Sequence, residues 1–469
     1  MTSPVPSTII TMPRRPVLLC PSCLRDAVTT RSAGLSGPRS AALKGPPYAR
    51  ACAVATVTLI AVASAAAASA QENTTPTSWT YRVRVGDEIT ATRANVQSPF
   101  LGPTAGSLWD GRNQVVASAD GAWTHGDRLQ TGAGVAVVGA TGSDAAVHVR
   151  QAYARVSATS WLDVEAGKRI IRWGTGYAFT PTGVLDPPRS ATDPQDRLSV
   201  NEGMALVQAT AFRGDTALTI AAAAPNGLVL RQAQDERADR SERLVAAKLR
   251  TAIRGFEFAL VGSAADGRRL SAGANFTLVV DDRLEWHGEF LIHDRTSPWM
   301  IRVAPDAIGA RATSALIGLQ YTSASGVNIV LEGYRDGNGL DGPAWQRLVS
   351  GARNPLAVSY ASPSELDVAH GERVELRQAQ DGRMPRPSRR HFAFVRAARA
   401  ASDARWKPEL MAIVGVDDGS VTIVPTSGWN LRDHVDVYVR GVALAGARRS
   451  EARDAPIRGA ITVGLAVRY

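Results

Sequence analysis

The sequence has little cysteine, and all of it lies near one end. Cys20, Cys23 and Cys52 are the three cysteines, so none follows residue 52 in a chain of 469 residues. A lone pair with the spacing of Cys20 and Cys23 is weak evidence for zinc or redox chemistry. A chain without cysteine over most of its length avoids unwanted disulfides in an oxidising compartment. This distribution favours an exported protein without a disulfide framework.

Long apolar runs are also scarce. After residue 70 no run reaches the roughly 18 apolar residues of a membrane-spanning helix. An apolar stretch occurs earlier, at 51–67, behind Lys44 and Arg50. The small residues 68–70 that follow it match the cleavage site of a secretory signal, so we predict Gln71 as the first mature residue. A transmembrane anchor is the alternative interpretation of the same stretch.

Four regions follow from this pattern. Residues 1–50 show no periodicity, and we predict a disordered extension or a start codon assigned too far upstream. Residues 51–70 are the apolar region and cleavage site of the signal. Residues 71–110 are a periplasmic N-terminal segment with a possible first strand, and residues 111–469 are the main domain.

An excess of charge of one sign is missing from this main part of the chain. The formal net charge is +10, but seven basic residues and one acidic residue precede residue 71, so the remainder carries about +4. Nucleic-acid binding needs basic residues clustered on one face, and no such cluster is readable. We therefore predict no nucleic-acid partner.

What the sequence does contain is alternation of apolar and polar residues with period two. The stretch 284–292 shows it clearly, because its two faces separate Leu284, Trp286, Phe290 and Ile292 from Glu285, His287 and Glu289. Segments of this kind, separated by turn residues, give roughly 16 to 18 strands. A soluble sandwich or propeller also alternates, so the pattern alone does not decide the fold.

The connections between these strands are unequal in length. Short turns such as Asp281-Asp282 and 323–326 contrast with long loops at 180–202, 294–313 and 335–390. Bacterial outer-membrane barrels have short periplasmic turns and long extracellular loops. A sheet can satisfy all its backbone groups in lipid only by closing on itself. We therefore predict an all-β fold, a closed antiparallel transmembrane β-barrel.

The C-terminal strand supports this prediction. Its alternate residues are apolar and end on an aromatic residue: Ile461, Val463, Leu465, Val467 and Tyr469. We expect these side chains to face lipid and the intervening ones, from Thr462 to Arg468, to face the lumen. Tyr469 would lie at the periplasmic end, and the strand would be recognised by the barrel-insertion machinery.

The most informative segment is 167–203, which reads GKRIIRWGTGYAFTPTGVLDPPRSATDPQDRLSVNEG. A strand with a Gly-basic pair leads into Trp-Gly, an aromatic residue, Thr-Pro and an Asp-Pro-rich stretch. This segment resembles one found in uncharacterised porin-like outer-membrane β-barrel proteins of Gram-negative bacteria. The resemblance implies the fold and the location of the chain, the bacterial outer membrane, but no particular solute.

We predict that this segment folds into the pore and constricts it. Selective pores use rings of charged side chains, and two groups of opposite charge could face each other here. They are Arg169, Arg172 and Arg189 on one side and Asp186, Asp193 and Asp196 on the other. A corner at the barrel rim, with charges in solvent or on lipopolysaccharide, is the alternative. We also predict interfacial positions for the aromatic side chains of Trp173, Tyr177 and Tyr469.

Catalytic motifs are not readable in the sequence. It has no HExxH, no nucleophile elbow, no phosphate-binding loop and no converging metal ligands. His287 between Glu285 and Glu289 is the best candidate for acid–base chemistry, but a polar lumen face explains the three residues equally well. We predict no catalytic residue, no metal, no cofactor and no enzymatic activity.

The function that follows is a porin-like channel for passive or weakly selective diffusion of small polar solutes. Two alternatives stay open, namely a barrel component of surface polysaccharide export or assembly and an outer-membrane enzyme. The expected partners are outer-membrane lipid, lipopolysaccharide, the insertion machinery and the solutes themselves. The sequence predicts no oligomeric state.

Overall fold

The computed structural model describes residues 77–100, 109–141, 145–187, 189–198, 200–224, 243–265, 269–294, 310–353, 388–399 and 404–469. The predicted N-terminal extension and signal peptide lie outside these described residues. The described chain begins with a strand at Thr77, inside the segment for which a possible first strand was predicted.

The described residues form 18 strands in one antiparallel sheet, in which each strand pairs with the next along the chain. The strands are β1 (Thr77–Ala94), β2 (Trp109–His125), β3 (Leu129–Ala140), β4 (Ala146–Thr159), β5 (Leu162–Arg169), β6 (Met204–Arg213), β7 (Thr216–Ala224), β8 (Leu244–Ile253), β9 (Phe256–Ala265), β10 (Arg269–Val279), β11 (Leu284–Asp294), β12 (Arg311–Thr322), β13 (Val327–Arg335), β14 (His391–Arg399), β15 (Trp406–Gly415), β16 (Ser420–Arg432), β17 (Val435–Ala445) and β18 (Ile457–Arg468). β1 also pairs with β18, from Arg84 opposite Arg468 to Ala94 opposite Ile457. The sheet is therefore closed, and the predicted fold class is confirmed.

The two ends of the barrel differ in the length of their connections. At one end, which we call the turn rim, connections such as 160–161, 214–215 and 323–326 are short. Arg254 and Gly255 both have positive φ there, 45° and 82°, as a two-residue type I′ hairpin turn requires. The opposite end, the loop rim, carries the long connections, including 170–203 and 336–390.

The outward face of the barrel is apolar. In β18, Ile461, Val463 and Leu465 are 52%, 48% and 42% exposed, while Thr462 between them is 2% exposed. The predicted orientation of the C-terminal strand is therefore confirmed for these residues. Exposed aromatic side chains cluster at the turn-rim ends of their strands: Trp79, Tyr81, Trp161, Phe256, Trp286, Tyr321, Trp406, Trp429 and Tyr469.

In the described parts of the loop-rim connections there are two helices. α1 (Gly342–Arg353) falls within the predicted long loop 335–390, and Asp341 caps it by accepting the amide of Ala344 at 2.9 Å. Its buried residues, including Trp345 and Leu348, pack together and against Phe100. α2 (Glu451–Asp454) is a single turn before β18. Within the described ranges, no helix has the length and apolar character needed to cross a membrane.

Candidate functional site

The interior of the barrel is occupied by the segment 170–203, which we call the lumen loop. It leaves the wall after Arg169 and rejoins it at Met204. Trp173, only 5% exposed, belongs to a cluster whose wall members lie on β6 to β9: Met204, Leu206, Ala221, Ala223, Ala246 and Val261. The alanines on these strands leave space for the indole. Small wall residues therefore allow the loop to enter the lumen on this side.

The loop also contacts the wall on the other side of the barrel. Ala178 and Ala191 lie in a second buried cluster, with wall members on β13 to β16: Val330, Phe392, Phe394, Met411, Ile413 and Val424. Leu198 packs against Val116 and Ala136 on β2 and β3. Because these wall strands surround the lumen, the loop spans it.

One carboxylate of the wall, that of Glu289 on β11, holds the middle of the loop. Its Oε1 accepts the amides of Thr175 at 2.5 Å and Gly176 at 2.7 Å. Its Oε2 accepts the amide and the hydroxyl of Thr182 at 2.7 and 2.8 Å. Hydrogen bonds to an ionised acceptor are about twice as strong as neutral ones, so Glu289 is a principal anchor of the loop.

A second carboxylate, that of Glu332 on β13, holds the next two residues. It accepts the amides of Tyr177 and Ala178. His287 Nε2 lies 3.1 Å from Oε1 of Glu332, and both side chains are buried. Gly318 is the register partner of both residues on the strand between them, so a glycine leaves room for this contact. The histidine thus supports the carboxylate that binds the loop.

Two further wall side chains hold the start of the loop. Asn275 donates to the carbonyl of Trp173 at 3.1 Å and to Thr182 Oγ1 at 2.7 Å. Lys248 Nζ donates to the same carbonyl at 3.0 Å. A Cβ on Gly176 would lie 1.9 Å from the carbonyl oxygen of Phe179, so this tight fold requires glycine. The wall therefore binds both the donors and the acceptors of the Trp-Gly-Thr-Gly segment.

The three arginines predicted at the constriction lie in different surroundings. Arg169 lies over the ring of Tyr153, with its Cζ 3.7 Å from the ring centroid. Arg189 donates to the carbonyls of Gly176 and Tyr177 at 2.7 and 3.1 Å, so it braces the loop from within. Arg172 is exposed. Among the three, Arg172 is thus the side chain most accessible to solvent.

The three predicted aspartates mainly stabilise the loop. Asp186 accepts the amide of Trp173 at 2.5 Å, and burial raises the pKa of its carboxyl to about 6. Asp196 has a φ of 48° and accepts two amides four and five residues later in the chain. Asp193 forms an ion pair with Arg197 at 2.6 Å. The structure thus gives each aspartate a local partner, and their role in a transverse field stays a prediction.

The predicted interfacial position is wrong for two of the three aromatic residues. Trp173 is buried in the lumen, as described above, and Tyr177 packs beside Phe394 with a centroid distance of 5.9 Å. The reason is that the chain turns into the barrel after Arg169 rather than continuing along the rim. Tyr469 is exposed at the turn rim, where the predicted interfacial role is compatible with its position.

The loop extends toward the turn rim through a charged network. Arg197 donates to Glu409 at 2.7 Å, and Arg396 donates to the other oxygen of the same carboxylate at 2.9 Å. Arg440 lies 3.8 Å from Asp193. Basic and acidic side chains therefore alternate along this side of the lumen, and neither sign dominates.

The interior offers little that resembles a catalytic centre. No group of three histidine, cysteine or carboxylate side chains suited to a metal occurs among the residues that the structure describes. His287, the best candidate in the sequence, contacts a carboxylate that already binds two loop amides. The alternation of the sequence places Glu289 and His287 on the inner face, but it does not distinguish Glu332, Asn275 and Lys248 from other inward-facing residues. Their inward positions in alternating strands are the only signal that could have identified them.

No protein-family model matches the sequence, and no curated protein matches it. Solved structures with a similar fold include Pseudomonas aeruginosa OccK11 (OpdR), at 10% identity and a TM-score of 0.49, covering 83% of this chain and 95% of that one. A BenF-like porin from Pseudomonas fluorescens Pf-5 has 9% identity and a TM-score of 0.49, covering 83% and 98%. Wzi, an outer-membrane protein involved in group 1 capsule assembly in Escherichia coli and a carbohydrate-binding β-barrel, has 13% identity and a TM-score of 0.47, covering 82% and 84%. Likeness at this level concerns the barrel fold alone.

Proposed function

We propose that this protein is an outer-membrane channel for small polar solutes, in which the lumen loop forms the constriction. The observation that carries the proposal is the seating of this loop inside a closed barrel by Glu289 and Glu332 of the wall. A loop that only covered the rim would need no anchors at this depth. Two buried carboxylates that bind its backbone keep the loop in the path of anything that crosses the barrel.

The outer surface supports a location in the outer membrane. The outward side chains of β18 are aliphatic, and exposed aromatic residues cluster at the turn rim. An apolar band with aromatic residues at its edge is typical of barrels in lipid. On this basis the turn rim faces the periplasm and the loop rim faces outside. The aliphatic band contacts lipid, and the strand ending at Tyr469 is the segment that the insertion machinery would recognise.

The lumen predicts weak selectivity by charge. Arginines such as Arg396 and Arg440 lie inside the barrel, but carboxylates such as Glu409 lie beside them. A ring of one sign, which strongly selective pores use, is absent from the described wall. We infer a slight preference for anions, set by exposed basic side chains such as Arg172.

The direct test is conductance of the purified full-length protein in planar bilayers. We expect stable ion-conducting steps, and Arg172→Glu should shift the reversal potential in a salt gradient toward cation preference. Arg213→Glu is the matched control, because Arg213 lies outside the lumen loop at the turn-rim end of β6. Correctly folded protein that conducts no ions would refute the channel and favour a role in polysaccharide assembly or another barrel function.

A further inference from the structure

A cavity of about 250 Å³ lies beside the lumen loop, at the loop-rim ends of β13 to β16. The loop provides one side of it through Phe179, Asp186 and Arg189, and the wall and α2 provide the other sides. Pockets for drug-sized ligands measure roughly 300 to 1,000 Å³. The volume of this cavity therefore suits a solute with a single ring.

Three aromatic rings form one side of the cavity. Phe179 stacks on Tyr334 with a centroid distance of 4.4 Å and an interplanar angle of 11°. Phe392 lies 6.0 Å from Phe179 and 6.5 Å from Tyr334, at angles of 25° and 21°. Since the three rings stack on one another, they form a compact aromatic side of the cavity rather than one continuous flat surface. An aromatic side of this kind complements the C–H groups of a ligand.

The remaining lining is rich in groups that bind hydroxyls. Ser190, Thr192, Ser420 and Thr422 line the cavity, and the hydroxyls of the first two lie 2.8 Å apart. A hydroxyl side chain both donates and accepts hydrogen bonds, and a carboxylate accepts them. Several such groups beside one aromatic side match a ligand that carries many hydroxyls around an apolar ring face.

The charged groups of the cavity are already engaged by the protein. Arg189 donates to two loop carbonyls, Asp186 accepts the amide of Trp173, Asp336 accepts the amide of Asn338 at 2.8 Å, and Glu451 accepts that of Ser388 at 2.6 Å. Burial raises the pKa of Glu451 to about 7. A site that disfavours charge on its own carboxyl groups also disfavours transfer of a charged solute from water.

We propose that this cavity binds a neutral, polyhydroxylated solute of the size of a monosaccharide. The apolar face of the sugar ring packs against the aromatic side formed by Phe179, Tyr334 and Phe392, and its hydroxyls bond to the serine and threonine hydroxyls that line the cavity. The inference deepens the proposed channel function, because the site lies beside the constriction and defines the class of solute that the channel takes up.

The test is to titrate the full-length barrel in detergent with D-glucose, D-galactose and myo-inositol. Binding of each is measured by saturation-transfer NMR. Choline and benzoate serve as probes of the cationic and anionic classes. We expect saturable binding of at least one polyol, and Phe179→Ala should weaken it about fivefold to tenfold. Phe290→Ala is the matched control, because Phe290 faces outward on β11 and should leave binding unchanged.

Three results would overturn the inference. They are absence of saturable binding by every polyol, tighter binding of choline or benzoate than of any polyol, and equal binding by the Phe179→Ala and Phe290→Ala variants. In each case the barrel is shown to be folded by the change in its electrophoretic mobility on heating. Binding is measured without a bilayer, so the two proposals can fail separately. Conductance without polyol binding would refute the polyol site and leave the channel standing. Polyol binding without conductance would refute the channel and leave the polyol site standing.

Discussion

His287 Nε2 lies 3.1 Å from Oε1 of Glu332 across the glycine at position 318. The two residues are 45 positions apart in sequence and lie on strands separated by one other strand. The same carboxylate oxygen accepts the amide of Tyr177 in the lumen loop. A histidine that the sequence offers as a candidate acid or base is thus a positioning residue for the loop.

The first prediction concerns Gly318. A Cβ there would lie 2.3 Å from His287 Nε2 and 2.9 Å from Glu332 Cγ, so Gly318→Ala should push the pair apart. Overpacking costs about 1 to 3 kcal/mol, and we expect a lower thermal unfolding midpoint and noisier channel currents. Gly333→Ala is the control, since its Cβ would lie 3.9 Å from Ile317 on the outer face. Equal behaviour of the two variants would argue against a role of the pair in seating the loop.

The second prediction concerns Glu289. In Glu289→Gln the side-chain NH₂ faces amide donors instead of accepting from them, which should weaken loop seating by about 2 kcal/mol. We expect a larger mean conductance and more frequent transitions between conductance levels in planar bilayers. Glu285→Gln changes the same group on the same inner face of β11. Its carboxyl group lies 3.9 Å from His287 Nδ1 but does not bind the amides that Glu289 holds, so it should alter both quantities far less. If Glu289→Gln changes neither the mean conductance nor the frequency of transitions, the loop is held by other contacts.

The third prediction is a pH dependence of loop seating. Burial raises the pKa of Asp186 from 3.8 to about 6, so the seated loop binds a proton more tightly than a loop released into water. Seating is therefore stabilised as the pH falls through about 6 and loses that stabilisation as the pH rises. We expect fewer large-conductance events at about pH 5 than at about pH 7.5. Asp186→Asn should abolish the part of this difference that Asp186 causes, and an unaltered pH profile in this variant would exclude Asp186 as its source.

The fourth prediction concerns closure of the barrel. Val83 and Tyr469 exchange two backbone hydrogen bonds, at 2.8 and 2.9 Å, at the seam between β1 and β18. Removing Tyr469 deletes both bonds and an exposed aromatic ring, so we expect a reduced amount of heat-modifiable barrel in outer-membrane fractions. Tyr469→Phe keeps the backbone bonds and the ring and should assemble normally. Full assembly of the truncated chain would show that the last residue is dispensable for closure.

The strands were predictable because period two is a direct consequence of a wall with one apolar and one polar face. The alternation predicts strands over 216–224 and 244–253, and β7 and β8 have these bounds in the structure. Turn residues mark one end of each, since Gly214 precedes β7 and Arg254-Gly255 follows β8. The alternation over 161–172 predicts a strand that ends at Arg172, but β5 ends three residues earlier, at Arg169. The prediction is too long because nothing in a local apolar pattern marks the point where a chain leaves the sheet.

The site was harder to predict. Alternation places Glu289 on the inner face, but it does not tell which of the inward carboxylates binds the lumen loop. The contact joins Glu289 to Gly176 over 113 residues, and Glu332 to Tyr177 over 155. Backbone donors carry no signature in the sequence, so an anchor for them is visible only in three dimensions. For the same reason Trp173, an amphipathic residue, was expected in an interfacial belt and is found in the lumen.

The anchors of the lumen loop also impose an order on biosynthesis. The loop leaves the ribosome before β11 and β13, which carry Glu289 and Glu332. It therefore cannot reach its final position until more than half of the later hairpins have been laid down. Until then its Trp-Gly-Thr-Gly segment lacks the carboxylate that binds two of its amides in the folded barrel. Docking of the loop is in this sense a late maturation step, and a pulse-chase experiment should find it protected from protease only after the strands that carry Glu289 and Glu332 have been inserted.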